Sequence, residues 1–132
     1  MDGTDRIRLT GTDKVAKTDG TWAQLTRKDK LVFVSGQVPL DATGELVGRS
    51  DFRRQAVQAL DNLVSILESA GASLKDLMAI TVFVTDMANR PVFAEVRDSY
   101  FRDNPPASTI VQVTSLFSPE VMVEVNGIAM LD

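Results

Sequence analysis

Three runs in this sequence place hydrophobic side chains on both faces of a predicted strand. They are LVFV at residues 31–34, TVFV at residues 81–84 and GIAML at residues 127–131. A strand buried on one face only alternates apolar and polar residues, so these strands need cover on both faces. The sequence predicts only two amphipathic helices, which can cover a single face. The opposite face is therefore expected to meet another copy of the chain, and the alternative is a long loop folded beneath the sheet.

The two helices are predicted from the spacing of apolar residues. Residues 51–70 carry apolar side chains at helical spacing, with Ser50 or Asp51 as a cap at the start and Gly71 after the end. A second helix is predicted to begin after Asn89 and to end at the sequence DNPP, because proline interrupts a helix.

Strands are predicted at residues 6–9, 21–26, 31–40, 77–86, 108–113 and 121–131, with a second hairpin around DATG at residues 41–44. This order indicates one α+β domain over residues 1–132, with both helices packed on one face of the sheet. Residues 1–19 are polar and are expected to form a loosely ordered segment at its start.

The chain contains no cysteine and no histidine, which excludes several kinds of chemistry. Disulfides, thiolate catalysis and cysteine metal sites need cysteine. A Ser-His-Asp triad and a histidine-ligated zinc site need histidine. Any catalysis must therefore use carboxylates, hydroxyls, Lys or Arg, backbone groups and water.

Charge and hydropathy exclude further partners. Proteins that bind nucleic acids usually carry a stripe of clustered basic residues. Here the net charge is −4 and the basic residues are scattered, so we predict no nucleic-acid binding. No apolar run approaches 18 residues, so no contact with a membrane is expected. The first 14 residues are polar and lack the apolar core of a secretory signal, so a cytoplasmic location is expected.

Several motifs together are similar to those of the reactive intermediate deaminase (Rid, or RidA/YjgF) family. They are VSGQVPLD with GELV, the helix RRQAVQALDNLVSILESAGAS, the strand TVFVTDM and the closing VEVNGIA. This resemblance spans residues 22–131 in order. It implies a chorismate-mutase-like fold with a mixed sheet, and homotrimers with small-molecule clefts between subunits. It also implies hydrolysis of reactive 2-imino and enamine acids to ammonium and a 2-keto acid, without metal or cofactor.

The resemblance also assigns two residues to the cleft. Glu124, in VMVEVNGIA, matches the glutamate that positions a water molecule, and Ser35, in VSGQ, matches a serine of the cleft. Each assignment has an alternative: Glu124 as an edge carboxylate or half of a salt bridge, and Ser35 as a small residue beside a bulge at Gly36. Because Glu124 is flanked by Val123 and Val125, its side chain should point away from theirs.

Three positions depart from the family pattern. The segment PAST, residues 106–109, lies over the family's PARS, so Ser108 stands where an arginine would clamp a substrate carboxylate. Its neighbours Ala107 and Thr109 are predicted to line the same cleft, with Thr109 otherwise a strand filler. Ala94 stands where an asparagine is common, and Trp22 where a tyrosine is common.

Two functions remain open from the sequence. The first is a Rid-type hydrolase acting on an imine or enamine other than a simple 2-imino acid, with Arg90, Arg97 or Arg102 as replacement cations. The second is a non-catalytic trimer that binds a metabolite in the same cleft. The ribonuclease activity also associated with the family needs a basic channel and acid–base groups near neutrality, and the chain offers neither.

Overall fold

The computed structural model of the chain describes residues 6–132 and contains a six-stranded sheet with two α-helices on one face. The elements are β1 (Ile7–Leu9), β2 (Leu25–Lys28), β3 (Leu31–Gln37), α1 (Phe52–Ser69), β4 (Leu77–Val84), α2 (Arg90–Phe101), β5 (Ala107–Gln112) and β6 (Val123–Met130), with short 3-10 helices at Leu74–Asp76 and Met87–Asn89. The strand order is β1-β2-β3-β6-β4-β5; β4 and β5 are parallel, and the other neighbours are antiparallel. The predicted α+β class, with two helices on one face of a mixed sheet, is confirmed.

Helix α1 forms where the apolar spacing predicts it. The Asp51 carboxylate accepts a hydrogen bond from the Arg54 amide at 3.1 Å, which satisfies one unpaired amide of the first turn. Gly71 follows the helix with a φ of 78°, a left-handed conformation that glycine adopts without strain. The buried face of α1 packs against β3 and β6, the two strands that carry the candidate site. No helix within residues 6–132 is long and apolar enough to cross a membrane.

The strand predicted over residues 21–26 begins only at Leu25. The Thr18 hydroxyl donates a hydrogen bond to the Trp22 carbonyl at 2.8 Å, so the chain turns here before it enters the sheet. The alternating residues of TWAQLT suggest a strand, but this local side-chain-to-backbone bond competes with strand pairing. Trp22 therefore lies in a turn rather than in a strand.

The start of the chain also differs from expectation. Residues 1–19 are predicted to be loosely ordered, and residues 1–5 of this segment lie outside the described residues. Strand β1 forms within the short strand predicted at residues 6–9. Val15 is 3% exposed and belongs to the hydrophobic core. The Thr18 amide donates to the Thr10 carbonyl at 2.8 Å. This stretch is packed on the domain because it contributes an apolar side chain and a backbone hydrogen bond.

The second predicted hairpin, around residues 41–44, is reduced to a single bridge between Leu40 and Leu46. The Asp41 carboxylate accepts hydrogen bonds from the Thr43 and Glu45 amides at 2.9 and 3.0 Å, and these bonds close the loop. β3 correspondingly ends at Gln37 rather than at residue 40.

The sheet face opposite the helices is apolar and exposed in the single chain. Its exposed apolar side chains, called the apolar sheet face below, are Leu31, Phe33, Val111, Ile128 and Met130. Phe33 lies directly across from Ile128, and Leu31 from Met130, so these four form a continuous patch. The five side chains are between 37% and 50% exposed, so no loop of residues 6–132 covers this face. The loop alternative is therefore excluded for this part of the chain.

Candidate functional site

A cavity of about 480 Å³ lies where the end of β3 meets β6 and the segment that leads into β2. Its lining residues are Val15, Ala16, Lys17, Trp22, Gln24, Ser35, Gly36, Gln37, Val38, Leu40, Asn62, Phe117 and Glu124. Small-molecule sites in proteins have volumes of roughly 300–1,000 Å³. The structure thus brings together three of the predicted site residues, Trp22, Ser35 and Glu124, in a cavity of suitable size.

The end of β3 is irregular at this cavity. Its register with β6 shifts between Val34 and Gln37, as expected for a bulge at Gly36. A Cβ atom at Gly36 would lie 2.0 Å from Glu124 Oε2, which is far closer than any van der Waals contact. The missing side chain at position 36 is therefore what allows the glutamate carboxylate to lie against β3.

Glu124 points away from its neighbours on β6, as predicted. Val123 and Val125 are fully buried in the core, whereas Glu124 is on the other face. The carboxyl group is half-buried, and this burial raises its pKa above the usual value for glutamate. Within residues 6–132, no ion pair includes this carboxylate. A half-buried carboxylate of this kind is suited to accept a proton from a water molecule.

Ser35 connects β3 to the segment that carries Trp22. Its hydroxyl donates to the Ala23 carbonyl at 2.6 Å, and its amide donates to the Gln24 carbonyl at 2.9 Å. Because the hydroxyl proton is already engaged, a ligand in the cavity can only donate to the Ser35 oxygen. Ser35 therefore has a structural contact and remains available as an acceptor at the site.

Buried amide side chains form the inner wall of the cavity. Gln37 Nε2 donates to Gln24 Oε1 at 2.8 Å, and Asn62 Nδ2 donates to the Leu40 carbonyl at 2.9 Å. These three side chains are at most 8% exposed. None of the three was predicted as a site residue, and the only indication in the sequence is the position of Gln37 in the SGQ motif.

The other predicted site residues lie elsewhere in the single chain. Ala107, Ser108 and Thr109 are on β5 at the edge of the sheet, and Ala94 is on α2. None of the four lines the cavity that contains Glu124. One site that includes all seven predicted residues would need β5 and α2 from a second chain, and the roles of these four residues stay predictions.

Ser108 instead lines a second cavity, of about 350 Å³, between β5 and the end of α2. Arg97 and Arg102 line it as well, whereas Arg90 does not. Arg97 pairs with the neighbouring Asp98 at 3.3 Å, and both side chains are partly exposed. Two of the three arginines considered as replacement cations are thus near Ser108 but separate from Glu124.

Lys17 and Phe117 also line the cavity, and neither was predicted. Lys17 belongs to the polar segment, where no periodicity singles it out, and Phe117 lies in the loop before β6. No arginine of residues 6–132 lines this cavity. In the same range, no group of three or more acidic side chains has the arrangement of a metal site.

Together, the fold and the cavity define a small α+β domain with a carboxylate-containing site at the edge of a mixed sheet. The sequence profile of the family described as Endoribonuclease L-PSP matches residues 12–131. The chain is 36% identical over 119 residues to a RutC family protein of Pyrococcus abyssi, a match that covers 89% of this chain and 92% of that protein. It is also 36% identical over 104 residues to the 3-aminoacrylate deaminase RutC of Acinetobacter baylyi, covering 79% and 82% of the two chains.

The structure agrees with these sequence matches. TdcF of E. coli, solved with bound serine, superimposes with a TM-score of 0.86 at 30% identity, covering 96% of this chain and all of that one. The chain belongs to the Rid/YjgF family. The predicted family membership and fold are both confirmed.

Proposed function

We propose that this protein hydrolyses reactive imines or enamines and releases ammonium. The observation that carries this proposal is the Glu124 carboxylate, half-buried in a cavity of about 480 Å³ and held against Gly36. The similarity to a protein named 3-aminoacrylate deaminase supports the reaction type. The substrate itself and the effect of Ser108 are part of the proposal.

The chemistry needs few protein groups because an imine carbon is already electrophilic. Glu124 accepts one proton from water as the water oxygen bonds to that carbon and the π electrons of the C=N bond move to nitrogen. Glu124 then gives this proton to the nitrogen, and the product is a carbinolamine. Glu124 next moves the proton of the new hydroxyl group to the nitrogen, the C–N bond breaks with its electron pair leaving on ammonia, and the oxygen forms the C=O bond. The released ammonia becomes ammonium in water. An enamine first takes a proton on carbon and becomes the imine. The protein's contribution is to hold the substrate and to position the water.

We further propose that three chains assemble through the apolar sheet face and that the site is completed between subunits. The five exposed apolar side chains of that face support an assembly. The separation of Ser108 from Glu124 within one chain supports a site shared by two chains.

The direct test of the proposed function is ammonium release from freshly generated 2-iminopropanoate. We expect release above the rate in buffer for the native protein. The variant Ser108→Arg, which adds a guanidinium at the edge strand, is expected to increase the rate on this carboxylate substrate about tenfold or more. If native protein and variant are both inert, the chain is better explained as a metabolite-binding trimer, which the lack of an arginine in the cavity would favour.

Gly36→Ala is expected to reduce ammonium release much more than it reduces stability. The new methyl group would occupy the place of Glu124 Oε2, so the carboxylate must rotate away from the water that it positions. We expect kcat/KM to fall about 100-fold, the effect of a displacement of about 1 Å at a reacting group. Thermal unfolding of the variant should change by only a few degrees, because a side chain can rotate into the cavity. Full activity with an unchanged Tm would contradict the contact.

A further inference from the structure

Lys17 shares the cavity with Glu124, and among residues 6–132 it is the only positively charged residue of the lining. The lysine forms no ion pair with any acidic residue in the described part of the chain, Glu124 included. Two residues of opposite charge therefore line one cavity without forming an ion pair with each other. An unpaired lysine in a cavity is electrostatically complementary to a ligand with a negatively charged group.

The residues on either side of Lys17 are fixed to the domain. The Ala16 carbonyl accepts a hydrogen bond from Gln24 Nε2 at 3.2 Å, and Gln24 is itself 8% exposed in the cavity wall. The Thr18 amide donates to the Thr10 carbonyl at 2.8 Å. Lys17 is thus held at the cavity by its backbone, although its side chain is exposed.

Gly11 provides the space for this placement. A Cβ atom at Gly11 would lie 2.7 Å from Lys17 Cα and 2.8 Å from Lys17 Cγ. Any other residue at position 11 would push the lysine backbone and the base of its side chain out of place. The packing of the segment therefore places a cation at the cavity through a specific close approach.

We propose that Lys17 binds the carboxylate of a small anionic substrate in the cavity that contains Glu124. A lysine ammonium is a compact charge on a flexible four-carbon stem, so it can reach a ligand held near the cavity mouth. Trp22 and Phe117 line the same cavity and offer apolar contacts for the rest of the molecule. The inference rests on the proposed function for the substrate class, which is then an imino or enamino acid.

A cation at position 17 alters what Ser108 implies about the substrate. A neutral serine at that position suggested a substrate other than a simple 2-imino acid. With Lys17 as the cation, the cavity retains affinity for a carboxylate. The positive charge then comes from the segment before β2 rather than from an arginine at position 108 on β5. Because a single ammonium cannot form the paired hydrogen bonds of a guanidinium, it discriminates less by geometry than an arginine does.

The test is a binding titration that does not depend on turnover. Trp22 is the only tryptophan of the chain and lines the cavity, so its fluorescence reports occupancy. Pyruvate serves as the anionic probe and methyl pyruvate as its uncharged counterpart. Lys17→Met should weaken pyruvate binding about fivefold to tenfold and leave methyl pyruvate unchanged, and the difference should shrink as salt is added. Lys17→Arg should retain pyruvate binding.

Lys14→Met is the matched control, since Lys14 is a neighbouring exposed lysine that does not line this cavity. It should bind both probes like the native protein. Three results would overturn the proposal: no saturable pyruvate binding to the native protein, equal pyruvate affinity in Lys17→Met, or a loss with Arg102→Met instead. Failure of the proposed function would give a different pair of results. Pyruvate binding would still depend on Lys17, but no imine would release ammonium.

Discussion

Glu124→Gln is expected to lower kcat/KM for ammonium release by roughly 100-fold to 10,000-fold, the range attributed to general base catalysis. Glutamine keeps the size of the side chain and can occupy the space beside Gly36, but it cannot accept a proton from water. Substrate binding should change little, because the proposed cation for the substrate is Lys17. The measurement is steady-state ammonium release from 2-iminopropanoate at several substrate concentrations.

The pH dependence provides a second readout of the same residue. Burial raises the pKa of Glu124 above its usual value of 4.5, and the base acts in its ionised form. Activity of the native protein should therefore rise with pH through a pKa above 4.5. The residual activity of Glu124→Gln should lack this acid limb. Retention of both the limb and most of the activity in the variant would exclude Glu124 as the base.

The folding stability should fall as pH rises, whereas the activity should increase. Since the folded-state pKa is raised, the folded protein binds more protons than the unfolded chain between the two pKa values, and stability falls as pH rises through that window. At pH 7, Glu124→Gln is expected to unfold at a higher temperature than the native protein, and below the unfolded pKa the difference should vanish. Glu45→Gln, at an exposed position in the loop after β3, is the control and should show neither effect.

Phe33→Glu is expected to convert the proposed trimer into single chains. Phe33 is 46% exposed in one chain and lies across from Ile128 on the apolar sheet face. In an assembly that buries this face, an added carboxylate would lose its hydration, at a cost of several kcal/mol per subunit. In a monomer, the same change at an exposed position would alter stability by only about 0.5 kcal/mol.

Light scattering during size-exclusion chromatography distinguishes these cases. The native protein should have three times the mass of the 14.4 kDa chain, and Phe33→Glu should have the mass of one chain and little ammonium release. Val57→Glu is the control, because Val57 is an exposed apolar residue on α1, away from this face. A native protein that is monomeric at micromolar concentration would refute the proposed assembly and leave the apolar sheet face unexplained.

Much of the fold was predictable because its elements have strong periodic patterns. The apolar spacing of residues 51–70 predicts α1 to within one residue at each end. The β-branched runs identify β3, β4 and β6, and their apolar character on both faces anticipated the exposed patch. The strand predicted to include Trp22 does not form there, for a local reason. The Thr18 hydroxyl donates a hydrogen bond to the Trp22 carbonyl and stabilises a turn where the residue pattern suggests a strand.

A site residue could be placed from the sequence only where it belongs to a strand whose alternation fixes the direction of its side chain. Alternation along β6 is sufficient to orient Glu124 opposite Val123 and Val125. Lys17 has no such pattern, because its position depends on contacts with Gly11 and on hydrogen bonds from distant parts of the chain. The separation of Ser108 from the cavity depends on strand order, which places β5 at the edge beyond β4 and cannot be deduced from the composition of either strand.

The contact between Gly36 and Glu124 also constrains the order in which mutations can accumulate. Alanine at position 36 is harmful while the glutamate is present, and it becomes tolerable once position 124 carries a side chain too short to reach it. After both changes, restoring the glutamate alone would recreate the clash, so the two positions are strongly epistatic. A lineage that lost the carboxylate and then filled position 36 would regain only a small part of the proposed activity by restoring the glutamate, and would need the glycine as well for the full rate.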